Sequence, residues 1–112
     1  MKGPEAAVKK RVQELLKRYN VYWHMPVQNG FGKPSLDFIC CHEGYFFAIE
    51  TKAGNKGPSE RQKVTMADMR KAKGFVFLIN ESTGTGELEG YLEMLSVSQE
   101  HAAAWLTLEG SK

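Results

Sequence analysis

His42-Glu43-Gly44-Tyr45-Phe46-Phe47-Ala48-Ile49-Glu50-Thr51-Lys52 is the stretch on which the fold turns. Tyr45 to Lys52 is rich in aromatic and β-branched residues, as a strand requires, and His42-Glu43-Gly44 before it reads as a tight hairpin turn. Leu36 to Cys41 supplies the preceding strand. Side chains alternate along a strand, so Phe46, Ala48, Glu50 and Lys52 share one face, and Tyr45, Phe47, Ile49 and Thr51 the other. If Glu43-Gly44 is a two-residue turn, His42 pairs with Tyr45 and the same register sets Asp37 opposite Glu50. Two carboxylates about 5 Å apart then repel each other unless a cation or proton lies between them. A three-residue turn would instead set Asp37 across from Ile49, with Glu50 on the other face.

Working outward toward the N-terminus, Val8, Val12, Leu15, Leu16 and Tyr19 recur at helical spacing, and Pro4 suits the first turn of that helix. Glu5 falls in line with this apolar stripe, an odd place for a carboxylate. Val21 to Val27 reads as a first strand, with Tyr22 and Trp23 expected in the core, and Asn29 to Pro34 as a loop. Toward the C-terminus, Ser59 followed by Gln62 forms a capping-box signature for a helix reaching about Lys73. Phe75-Val76-Phe77-Leu78-Ile79 is a continuous apolar run, expected as a central strand covered on both faces and entered by a strand–helix–strand crossover. Glu81 to Gly90 reads as a polar, flexible excursion, Tyr91 to Leu95 as an edge strand or connector, and Ser98 as the cap of a last short helix. The order α-β-β-β-α-β describes an α/β domain with helices flanking a mixed central sheet.

With 112 residues the chain is the size of one domain, here 1–112 with a core of about 4–80 and a C-terminal extension over 81–112. Hydrophobic and charged fractions of 42% and 25% are those of an ordinary globular protein. No apolar run approaches the roughly 20 residues of a membrane span, and the N-terminus lacks a signal-peptide pattern, so a cytoplasmic location without membrane attachment is expected. Residues 1–80 carry 14 Lys and Arg against 7 Asp and Glu, a balance of +7, and residues 81–112 carry 1 against 6, a balance of −5. A basic segment can meet phosphate, although Lys9, Lys10, Arg11, Lys17 and Arg18 equally suit the solvated face of an amphipathic helix. Cys40 and Cys41 are neighbours on a strand and diverge, so with His24 and His42 they suggest neither zinc nor a disulfide. His101 reads as an ordinary helix residue.

Paired carboxylates with room for water suit Mg²⁺, and Lys52 one step along the same face can stabilise charge on phosphate oxygens. Taken alone, Asp37, Glu50 and Lys52 equally describe an exposed salt-bridge cluster. Three motifs narrow the choice: Gly32-Lys33-Pro34-Ser35-Leu36-Asp37-Phe38, Gly44 through Gly54, and Pro58-Ser59-Glu60-Arg61-Gln62. In order and spacing they resemble the VRR-NUC branch of the PD-(D/E)xK nucleases over about residues 5–80. The resemblance implies a restriction-endonuclease-like fold and a metal-dependent DNA endonuclease. It further implies Glu5, Asp37, Glu50 and the Thr51 carbonyl as ligands of Mg²⁺, with Mn²⁺ substituting, and Lys52 as the catalytic lysine. Gln62 matches the glutamine the family places near the active site, a role that competes with helix capping for one side chain. Lys33, Lys56 and Arg61 are expected to hold DNA phosphates beside the site, or else to be solvated loop charges. Stand-alone members resemble phage-type Holliday-junction resolvases, which implies branched DNA as substrate, a homodimer, and action in a host cytoplasm. The alternatives are a non-catalytic nucleic-acid-binding module or a subunit of a larger nuclease complex.

Overall fold

The computed structural model describes residues 3–27 and 32–97. Helix α1 spans Pro4–Arg18, with Pro4 at its start, Glu5 in its first turn and Lys17 and Arg18 in its last, charges that complement the helix dipole. Its buried stripe is Val8, Val12, Leu15 and Leu16. Strands β1 (Tyr22–His24), β2 (Phe38–His42) and β3 (Tyr45–Thr51) follow, then α2 (Glu60–Lys71) and β4 (Phe75–Ile79). Residues 86–97 form a further helix, α3.

The sheet runs β1-β2-β3-β4, antiparallel across the first two junctions and parallel between β3 and β4. It is therefore mixed, and α2 provides the crossover that a parallel pair requires. One face carries Phe38, Cys40, Phe47, Ile49, Phe77 and Ile79 against the buried stripe of α1 and against Leu88, Tyr91, Leu92 and Leu95 of α3. The opposite face carries Ala48 and Val76, packed with Leu36 and with Met66 of α2. Cys40 is buried and Cys41 exposed, both as free thiols, and burial pushes the Cys40 thiol up to about 12.

Three expectations need correction. First, β4 is an edge strand among the described residues, not a central one. Its apolar run reflects helices covering both faces, Val76 beneath α2 and Phe77 and Ile79 beneath α1 and α3, rather than strands on both sides. Second, Tyr91 to Leu95 is helical, not a strand, and the excursion before it is confined to a short turn. Leu88, Tyr91, Leu92 and Leu95 stand at i, i+3, i+4 and i+7, one helical stripe that Gly86 and Gly90 obscure. The core therefore extends past residue 80. Third, Tyr22 is 69% exposed, whereas Trp23 packs against the core edge as expected. The helix expected from Ser98, with His101, lies outside the described residues. Within them, no helix is long and apolar enough to cross a membrane.

Helix α3 is tied to α1 by Arg18–Glu89 at 3.1 Å and by the Tyr19 hydroxyl donating to Glu93 at 2.7 Å. Leu92 is fully buried between them and the sheet. Leu92→Ala is expected to destabilise the fold by about 2–5 kcal/mol, as for other core leucines, and urea unfolding followed by circular dichroism checks this. A dispensable C-terminal segment would show no such loss.

Candidate active site

The site begins with the turn. Glu43 (φ 53°) and Gly44 (φ 84°) both adopt the left-handed region, the conformation of a two-residue type I′ hairpin. His42 consequently pairs with Tyr45 and Phe38 with Ile49. One step further, Asp37 stands opposite Glu50, and its amide N–H donates to Glu50 Oε1 at 3.2 Å. The alternative three-residue register is excluded.

Glu50 is only 2% exposed, at the end of β3 that meets the start of α2. Its second oxygen, Oε2, accepts from Gln62 Nε2 at 2.7 Å and lies 3.7 Å from Lys52 Nζ. Burial is the main cause that pushes the Glu50 carboxyl up to about 7, and the Asp37 charge adds to it; Lys52 and the Asp37 amide oppose the shift, and Glu5 reinforces it. Burial and the Asp37 charge thus both disfavour ionisation of Glu50.

Asp37 is held differently. Its Oδ2 accepts from both the amide (3.0 Å) and the hydroxyl (2.6 Å) of Thr51, a fully buried residue. Its Oδ1 faces Lys9 Nζ at 3.9 Å. Lys52 is placed by its backbone, whose N–H donates to Ile79 O at 3.0 Å and carries the β3–β4 ladder one residue past β3.

Gln62 does not have to choose between its two expected roles. Its Oε1 accepts from the Ser59 amide at 2.8 Å while Ser59 Oγ accepts from the Gln62 amide at 3.2 Å, which completes the capping box. The amide nitrogen of the same side chain is left free to hold Glu50. A primary amide offers an acceptor and a donor at opposite corners, so one residue both starts α2 and orients the carboxylate.

Asp37, Glu50, Thr51, Lys52 and Gln62 are thus brought together. Glu5 stands further out: it is partly exposed and pairs at 3.4 Å with Lys9, which in turn faces Asp37. Lys56 and Arg61 are exposed, on the loop leaving Lys52 and in the first turn of α2. Lys33 lies elsewhere, lining an open apolar groove of about 630 Å³ with Tyr45, Phe46, Met69 and Lys73, at the far end of β3 from Glu50. Lys9 is the residue sequence reasoning missed; its spacing of four from Glu5 was the available signal.

Among the described residues no three His, Cys, Asp or Glu side chains gather into a metal-holding group. The donor set still fits Mg²⁺. That ion usually binds through one or two carboxylates and keeps several waters. Here two carboxylates meet, one of them buried.

No protein-family model matches the sequence, and no curated protein matches it. A solved structure described as a VRR_NUC domain does match, with a TM-score of 0.62 over 84% of this chain and 95% of that one, at 18% identity. The fold is VRR_NUC-like. In this VRR_NUC-like frame, an α/β restriction-endonuclease-like core, Asp37 immediately precedes central strand β2, Glu50 lies on the adjacent central strand β3 and Gln62 on the crossover helix.

Proposed function

We propose that this chain is a metal-dependent DNA endonuclease that hydrolyses phosphodiester bonds, selective for branched DNA such as a Holliday junction. The observation that carries the reading is the Asp37–Glu50 pair, in which Glu50 is buried and Lys52 and Gln62 converge on one of its oxygens. Salt-bridge clusters of no function are seldom buried with a raised carboxyl at their centre, whereas sites of chemistry often are.

Asp37 and Glu50 would hold Mg²⁺ or Mn²⁺, with the Thr51 carbonyl and Glu5 as further ligands. Such an ion, when bound, polarises a phosphoryl oxygen and lowers the pKa of a coordinated water. The Lys52 ammonium stabilises charge building on the phosphate oxygens. Gln62 keeps the Glu50 carboxylate from rotating away from Asp37. Lys56 and Arg61 hold backbone phosphates on either side of the scissile bond, and Lys33 a more distant one. No group in this set reads base edges, which favours recognition of DNA shape over sequence. Symmetric cutting of a junction further calls for a homodimer.

Incubating purified protein with a four-way junction, a flap and a plain duplex, with Mg²⁺, Mn²⁺ or a chelator, tests the reading. Metal-dependent cleavage of the branched substrates ahead of the duplex is expected. If every substrate survives, the enzyme reading fails; binding without cutting would point to a non-catalytic module, and activity restored by a second protein to a subunit of a larger complex. Gln62→Glu gives a finer test, because it keeps the acceptor for the Ser59 amide but sets a carboxylate against Glu50. Cleavage is expected to fall about 10- to 100-fold, the usual effect of disturbing a group that orients a ligand, while the helix cap survives.

A further inference from the structure

Lys9 stands between two carboxylates that belong to different elements. Its ammonium lies 3.4 Å from Glu5 Oε2 on its own helix and 3.9 Å from Asp37 Oδ1 at the mouth of β2. Asp37 Oδ2 is already taken by two donors from Thr51. Oδ1 is thus the oxygen of Asp37 through which a cation can be bound, and it is the one that Lys9 faces. The Lys9 side chain is also 34% exposed and ends on a flexible four-carbon stem, so the ammonium can leave without opening the fold.

We infer that Lys9 is a resident counter-ion of the site, which competes with the divalent cation for Asp37 and is released to a DNA phosphate when the metal enters. This rests on the metal-dependent reading above. A helical i, i+4 pair with Glu5 would need no contact with Asp37, and it is this second contact that carries the inference. A single positive charge and a doubly charged ion cannot share one carboxylate oxygen at close range without strong repulsion. With a divalent ion bound at Asp37, the Lys9 ammonium would turn toward solvent, where the substrate's phosphates would supply the nearest anions, and Glu5, without that partner, would be free to serve as a ligand.

Two effects of opposite sign follow, a pattern that a purely structural lysine would not produce. In isothermal titration of the protein alone with Mn²⁺, Lys9→Met is expected to tighten binding about tenfold, since removing one charge a few ångströms from the ion relieves screened repulsion of that order. Lys9→Arg, which keeps the charge, is expected to remain near the wild type. In Ca²⁺, with the junction shown to stay intact, Lys9→Met is expected to weaken DNA binding and to reduce the salt slope by about 1, the signature of one lost phosphate contact. Unchanged or weaker Mn²⁺ affinity in Lys9→Met, with the wild type binding normally, overturns the role of Lys9 alone. If the wild-type protein takes up neither Mn²⁺ nor Mg²⁺, the metal-dependent reading falls and this inference with it.

Discussion

Glu50→Gln is expected to reduce cleavage by about a thousandfold or more while making the metal-free fold more stable above neutral pH. The loss follows from replacing one of the two facing carboxylates of the site by a group with no charge for a cation. The gain follows from linkage. The Glu50 carboxyl stands at about 7 in the folded protein against an ordinary value of 4.5, chiefly because it is buried and next because Asp37 is beside it. Between those two values the folded state holds a proton that the unfolded state has released. Stability therefore falls as pH rises from about 4.5 to about 7, then levels off, with about 3 kcal/mol lost in all. Glutamine never ionises and removes this term. It also gives up one acceptor, because both Glu50 oxygens accept hydrogen bonds and an amide has only one oxygen. The net gain at pH 8 is about 1–2 kcal/mol, and it shrinks and then reverses as pH falls toward 4.5, where only the lost acceptor remains. Denaturant unfolding of wild type and variant at pH 5 and pH 8 checks the sign. Adding Mg²⁺ should flatten the pH dependence of the wild type and leave Glu50→Gln unmoved. A variant that is less stable at pH 8 than the wild type would mean that the carboxylate is already neutralised within the fold.

Phe47→Ala is expected to remove about 3–5 kcal/mol, a large part of the 5–15 kcal/mol that holds a domain of this size together. Phe47 is fully buried on β3, and its ring meets Phe77 edge-on at 5.9 Å and Tyr91 at 5.4 Å. It is thus the point where β3, β4 and α3 share one aromatic cluster. The same strand, three residues on, carries Glu50. The truncation should lower the unfolding midpoint sharply, and at temperatures where the variant is folded cleavage should survive, because the Asp37–Glu50 register rests on the hairpin turn rather than on the ring. Thermal unfolding by circular dichroism, paired with cleavage measured below the midpoint, separates the two. Loss of activity in a fully folded Phe47→Ala protein would show that the core, and not the turn, positions the carboxylates.

Much of this architecture was legible in the residues themselves. Glu43-Gly44 marked the hairpin and limited the pairing to two registers, because pairing in a hairpin is a local matter; the two-residue turn of the folded chain then set Asp37 against Glu50. Ser59 and Gln62 marked the start of α2 for the same reason. The place of β4 at the sheet edge was not legible, since an apolar run reports covered faces and not the number of neighbouring strands. Nor was the helix over residues 86–97, where Gly86 and Gly90 lower helix propensity and packing against α1 overrides it. Glu5 was read as facing inward from its spacing alone, and only the fold shows Lys9 standing between it and Asp37. The two hydrogen-bonding ends of Gln62 belong to the same class: capping is set within four residues, but the reach to Glu50 depends on how α2 lies across the sheet. Sequence alone determined where the hairpin turns, the two registers open to it and the cap of α2, since each is decided by neighbours along the chain. The sheet edge, the third helix and the charge balance around Asp37 were decided by tertiary structure, because they depend on which surfaces meet after the chain has folded.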